Sequence, residues 1–199
     1  MKKLSMLVLL SGIVGMQACN SGSSNDSVAK ADSANDVKDT TSMMAPKDTV
    51  AGMGVNDDVA DFAVKAANAG MTEIKMGEYA VKHASDKSVK DYASMLVKDH
   101  TKAGDELKSI AKSKNITLPA MPGSDNMDMM TDLMKKTGKD FDKAYMNQMV
   151  KDHKDAVDLF QKAADNSKDS DMKTFAANTL PVLQKHLNDA EAIVKSHNY

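Results

Sequence analysis

Arginine is absent: all 26 basic residues are lysine, set against 28 acidic ones for a net charge of −2. Without the planar guanidinium fork that grips phosphates and bases, and with an acidic balance that repels polyanions, nucleic acid is excluded as a partner. Tryptophan is missing too, and aromatic residues make up only 4% of the chain, so any core is built mainly from aliphatic residues and methionine. With one cysteine, Cys19, no intramolecular disulfide can form, and the fold must be held by packing, with or without a metal. Apolar and polar residues never alternate over a useful stretch, which argues against a sheet. No serine elbow, glycine-rich phosphate loop after a strand or second cysteine is present, so hydrolase, kinase and dehydrogenase readings have nothing to rest on and no reaction is assigned.

What the chain does have begins with Lys2 and Lys3, an apolar run from Leu4 to Val14, and the exit Met16-Gln17-Ala18-Cys19. This pattern reads as a secretory signal over 1–18, too short to span a membrane. Cys19 stands where a lipoprotein signal would be cut, so it is the expected lipidation site. The expected localisation is the cell envelope, as a periplasmic or outer-membrane lipoprotein held to the membrane through Cys19, with any protein partner unspecified. From Asn20 to Asn56 the chain is rich in Ser, Asn, Asp, Thr, Ala, Lys and Gly and has no aromatic residue, Leu or Ile. Such a segment cannot bury enough surface to offset its ordering entropy, and 19–56 is expected to be a disordered tether.

Helical periodicity takes over in 57–198, and four segments of similar length are predicted at about 57–84, 87–114, 138–165 and 169–197. Asn56, Ser85-Asp86, Thr137 and Ser167-Lys168-Asp169 offer N-caps. Short joints near 85 and 167 imply antiparallel hairpins, giving an all-α four-helix bundle. The middle connection carries Pro119, Pro122 and Gly123 and then a short helix from about Asp125 to Lys136; its length suits either a crossover along the bundle or a compact turn. Pro181 is expected to kink or break the fourth segment after about Asn178. Tyr92, Val97, Lys98, Asp99, His100 and Ala103 recur in register as Tyr145, Val150, Lys151, Asp152, His153 and Ala156, which aligns the second segment with the third.

The inward stripes follow from three-four spacing. They run Val59-Phe62-Ala66-Ala69-Glu73-Met76-Ala80, Val89-Ala93-Leu96-His100-Ala103-Leu107-Ile110, Met146-Met149-His153-Ala156-Phe160-Ala163 and Met172-Ala176-Thr179-Leu183-His186-Ala190-Ile193. Each carries one ionisable residue near its middle, so Glu73, His100, His153 and His186 should lie within ~5 Å of one height whichever way each helix points. Three imidazoles and a carboxylate form a candidate shell for one transition-metal ion, with donors suited to zinc, iron, manganese or copper. The competing reading is a polar core layer, with the histidines bonded to backbone carbonyls or to neighbours such as Thr179 or Tyr92. Asp99 and Asp152 fall at helix boundaries, as solvated carboxylates or as partners that orient imidazole. His83 and His197 read as surface residues, and Glu78 lies off the stripe. Met121, Met127, Met129, Met130 and Met134 cluster in the middle connection, where thioethers could bind cuprous ion or simply fill core space.

The runs Gly70-Met71-Thr72-Glu73-Ile74-Lys75-Met76-Gly77, Met95-Leu96-Val97-Lys98-Asp99-His100, Phe141 to His153, and Thr179-Leu180-Pro181 with His186-Leu187 resemble the bacterial family called domain of unknown function 4142. The resemblance covers about 57 to 195. It implies a ferritin-like fold and export, often behind a lipoprotein signal, and it implies no activity. Ferritin-like di-iron proteins place Glu-x-x-His on their helices. Here Val97, Val150 and Leu183 precede the three histidines by three positions, so a mononuclear histidine-rich site, or none, fits these residues better than a carboxylate-bridged pair of metals.

Overall fold

A computed structural model describes residues 26–43 and 56–199. The expected signal and Cys19 lie outside the described residues. Six helices follow in order: α1 Ser27–Met43, α2 Asp57–His83, α3 Lys87–Ser113, α4 Ser124–Met134, α5 Gly138–Asn166 and α6 Ser170–His197. The four long ones are α2, α3, α5 and α6, and among the described residues there is no strand.

Two apolar clusters define the directions of the helices. One gathers the start of α2 (Val59, Phe62), the end of α3 (Leu107, Ala111), the end of α5 (Phe160) and the start of α6 (Met172, Phe175). The other gathers the end of α2 (Met76, Ala80), the start of α3 (Val89, Tyr92), the start of α5 (Phe141, Tyr145) and the end of α6 (Ala190). Consequently α2 and α6 run one way and α3 and α5 the other. The main packed pairs are α2 with α3 and α5 with α6, closed by α3 with α6 and α2 with α5, so every strongly packed neighbour is antiparallel. The α3–α5 connection is therefore a crossover that traverses the bundle, with α4 laid against α2 and α5.

Local chemistry explains most of the boundaries. Asn56 accepts from the Val59 amide at 3.3 Å, Asp86 from Ser88 at 2.7 Å, and Asp169 from Asp171 and Met172 at 3.1 and 3.0 Å, each satisfying an otherwise orphaned first-turn donor. The expected cap Thr137 makes no such bond. Lys114, just past α3, pairs with Asp169 and Asp171 at 2.6 and 2.8 Å and fastens that end to the start of α6.

Two expectations need correction. Pro181 lies inside α6, which runs unbroken from Ser170 to His197. The ring deprives only the Ala177 carbonyl of its helical donor, and Ala177 is exposed, where water can serve it. The tether reading of 19–56 fails for Ser27–Met43, which form α1 packed on α2 and the crossover. Composition misled because α1 is held by polar contacts more than by apolar burial. The Asn35 amide donates to the Thr117 carbonyl at 3.0 Å and accepts from the Thr117 amide at 2.8 Å; Lys38 donates to the Asn115 carbonyl at 2.8 Å; Ser27 Oγ accepts from Ala120 N at 2.8 Å. The crossover backbone has few partners of its own, and α1 supplies them.

Asp142 on α5 is wholly buried and ties the α2–α3 turn to α5. It accepts from the Ser85 and Asp86 amides, both at 2.9 Å, and from the Ser85 hydroxyl. Replacing it removes the only protein acceptor for the Ser85 hydroxyl and strands two amides among the described residues. Asp142→Ala is expected to lower unfolding free energy by about 3 kcal/mol in a urea titration, and a loss under ~1 kcal/mol would show the turn to be held by other means.

Candidate metal centre in the bundle core

Between the two apolar clusters lies a single polar layer. Glu73 of α2, His100 of α3, His153 of α5 and His186 of α6 are all buried, the last two at 0% and 1% exposure. All four predicted residues are brought together. The imidazole centroids are separated by 5.7 Å (His100–His153), 5.4 Å (His100–His186) and 5.3 Å (His153–His186), and one ring nitrogen from each lies within 4.8 Å of the others. Glu73 Oε2 is 2.5 Å from His100 Nε2, and Oε1 is 3.8 Å from His153 Nδ1.

The outer faces of two rings are fixed. His153 Nδ1 lies 2.9 Å from the Met149 carbonyl one turn earlier, and because a carbonyl only accepts, that nitrogen carries the proton. His186 Nε2 donates to Asp99 Oδ2 at 3.0 Å, and Tyr92 holds the same helix by donating to the His186 carbonyl at 3.1 Å. His153 Nε2 and His186 Nδ1 are left as lone-pair nitrogens. Neither has a hydrogen-bond partner among the described residues, nor has Glu73 Oε1, whereas Glu73 Oε2 and His100 Nε2 face each other as a buried ion pair. Orphaned polar atoms this deeply buried are rare in folded proteins, and here three of them share one level with the Glu73–His100 pair.

Charge is distributed unevenly over the layer. Burial alone would raise the Glu73 carboxyl, but His100, His153 and His186 hold it down at about 2. His100 is raised: burial would strip its proton, and the Glu73 and Asp99 carboxylates retain it. Burial lowers His153, aided by the charge on His100 and opposed by Glu73. Burial likewise takes His186 down to about 4, against the hydrogen bond it donates to Asp99. The layer thus consists of a carboxylate, one imidazolium and two neutral imidazoles, and the neutral pair are in the state a metal requires.

Residues read as equivalent from the Val-Lys-Asp-His repeat diverge in use. Asp99 turns from α3 to α6 and serves His186, whereas Asp152 takes a hydrogen bond from Gln148 at 2.8 Å. Where α6 presents a histidine to Asp99, α2 presents Glu73 to the side of α5 that bears Asp152. Burial first, and then the Glu73 charge, push Asp152 up to about 6. The Asp99–His186 pair joins different helices, so the only sequence signal for it is an Asp beside each repeated His. Thr179, a suggested partner for the histidines, instead donates to the Phe175 carbonyl at 2.8 Å. Tyr145, whose buried hydroxyl has no partner among the described residues, was absent from the inward stripe. Of the methionine cluster, Met130 is buried in the core while Met121 and Met127 are exposed.

Fold and site together define an all-helical bundle protein with a histidine-rich core layer. The chain matches the family Domain of unknown function (DUF4142) over residues 44–193 and belongs to it; α1 precedes the matched residues. Two solved structures share the fold. A DUF305 fragment from Deinococcus radiodurans superposes with a TM-score of 0.63 at 9% identity, covering 71% of this chain and 98% of that one. A DUF305 protein from Streptomyces coelicolor gives 0.61 at 13%, covering 72% and 96%. No curated protein matches.

The layer makes stability depend on pH in a definite sense. Below pH 6.5 the unfolded chain protonates His153 and His186 while the folded chain keeps them neutral, His186 down to about pH 4. The two histidines therefore lower stability as pH drops from about 6.5 to 4, with up to roughly two protons taken up on unfolding; Asp152, pushed up to about 6, opposes them by up to one proton, and the loss of Glu73 ionisation follows at lower pH still. Above pH 6.5 the sign reverses, because the folded chain retains the His100 proton that the unfolded chain releases. The chelator-treated chain is expected to melt highest at about pH 6.5 to 7. In a His153→Gln/His186→Gln chain the acid limb should flatten by roughly two protons; an unchanged limb would contradict the assignment.

Proposed function

We propose that this chain is an exported envelope protein whose bundle binds one transition-metal ion through Glu73, His100, His153 and His186. The observation that carries the reading is the convergence of three buried imidazoles from three helices beside the Glu73 carboxylate, with His153 Nε2, His186 Nδ1 and Glu73 Oε1 left without hydrogen-bond partners among the described residues. A metal satisfies them at once, and the outer bonds to the Met149 carbonyl and Asp99 are those that orient metal-bound imidazoles. Three nitrogens and a carboxylate suit zinc, iron, manganese or copper. The ring nitrogens need to close from a spread of up to 4.8 Å to the ~3.3 Å ligand separation of a tetrahedral site, so each ring moves by less than about 1 Å. The reading is a binding protein and assigns no reaction.

Equilibrating the chain with each ion and counting bound metal by mass spectrometry tests this. One equivalent of at least one ion is expected, with about one proton released per ion at pH 6, because His100 is the protonated ring. Asp99→Asn should weaken binding by roughly 10- to 100-fold. Under 0.1 equivalent for every ion, or undiminished uptake by His153→Gln/His186→Gln, would leave a polar core layer centred on the Glu73–His100 pair as the reading.

Anchoring through Cys19 completes the proposal. No helix among the described residues is long and apolar enough to cross a membrane. Cells fed labelled palmitate should mark the wild-type chain and leave Cys19→Ser unmarked; label retained in the variant would place the acyl group elsewhere.

A further inference from the structure

A cavity of about 180 Å³ opens between α2, α3 and the crossover, beside the polar layer. Its walls include Gly70, Gly104, Leu107, Phe160, Phe175 and Leu183, and Glu73 and His100 also line it. Asp105 and Lys108, both exposed, also border it and can remain solvated. Two glycines in helix interiors border it, and a Cβ added at Gly70 or Gly104 would meet nothing within 4 Å, so there is room for a side chain at either position. Glycine at such positions destabilises a helix relative to alanine.

We propose that this cavity is a binding site for a neutral, monocyclic phenol, with the ring in the apolar chamber and the hydroxyl on Glu73. Size sets the first limit. An apolar cavity of roughly 150 Å³ admits benzene, so the volume here holds one aromatic ring and a substituent of one or two atoms. The walls set the second. Phe160 and Phe175, with centroids 5.7 Å apart, present aromatic surfaces suited to a third ring in an edge or offset arrangement.

The inner end selects the head group. Glu73 is 2% exposed; its Oε2 is paired with His100 at 2.5 Å, and its Oε1 has no hydrogen-bond partner among the described residues, so one buried acceptor remains for a donor in the cavity. A carboxylate ligand would bring a desolvated negative charge to a Glu73–His100 pair that is already balanced. An ammonium ligand would lose its hydration on passing the apolar walls. A phenolic hydroxyl supplies the donor without either cost. The proposal shares Glu73 and His100 with the metal reading but does not rest on it, because Glu73 is an acceptor in the metal-free protein.

The test uses the purified full chain, stripped of metal by chelation, with phenol, benzene and benzoate titrated separately by NMR. Phenol is expected to saturate at one equivalent, at least tenfold tighter than either comparison compound, with nuclear Overhauser contacts from its ring to the Leu107 and Leu183 methyls. Gly70→Leu/Gly104→Leu should fill the chamber and weaken phenol at least tenfold while zinc uptake is unchanged. Equal affinity for phenol and benzene, or contacts confined to methyls outside the cavity, would overturn the proposal without needing the variant, as would undiminished phenol binding in a folded double variant. Phenol binding with no metal uptake would overturn the metal reading alone; metal uptake with no phenol binding would overturn this one alone.

Discussion

A carboxylate sits at the centre of this bundle, and the rest of the structure is arranged around it. Moving an isolated carboxylate from water into an apolar interior costs several kcal/mol even after relaxation, and removing its partner strands the charge at a cost of about 3 to 5 kcal/mol. Glu73 avoids that outcome because three other helices each present an imidazole at its height. The protonated His100 balances the charge, and the two neutral rings fill the layer with lone pairs. An isolated Glu73–His100 pair would require only one histidine. His153 and His186, each turned by an outer hydrogen bond so that a bare nitrogen remains buried, are what make the layer resemble a ligand shell more than a simple ion pair.

The surrounding fold keeps those four positions level. Apolar clusters close the layer at both ends, one built around Phe62, Phe160 and Phe175 and the other around Phe141, Tyr145 and the methionines of α5. Because every strongly packed neighbour is antiparallel, central residues stay at one height while helix ends exchange places. The crossover that makes this arrangement possible has little regular structure over its first part, and α1 satisfies it through Asn35, Lys38 and Ser27. At the opposite end Asp142 secures the α2–α3 turn to α5. The chain leading from the expected anchor thus becomes part of the body where it meets the crossover.

Periodicity made the bundle and its polar layer legible. A helical stripe is local, so Glu73, His100, His153 and His186 could be read as inward, central and level before any coordinates were considered. Pairings between helices were not legible in the same way. Asp99 adjoins His100 in sequence yet serves His186, and Asp142 looks like an ordinary first-turn acid until the turn near Ser85 is placed beside it. The ordered α1 was hidden for a related reason: counting apolar residues detects helices that bury a greasy face, and α1 is retained by side-chain bonds to another segment's backbone. Pro181 shows the limit of a local rule, since a helix packed along its length can absorb one lost bond on its exposed side.

X-ray absorption at the edge of the bound ion tests the central claim most directly. For the metal-loaded chain the account predicts a first shell of nitrogen and oxygen at about 2.0 to 2.1 Å, as for zinc, with outer-shell scattering from three imidazoles. The His153→Gln/His186→Gln chain should lose two of them. A spectrum dominated by sulfur, or one with a single imidazole, would contradict a metal centre built from Glu73, His100, His153 and His186.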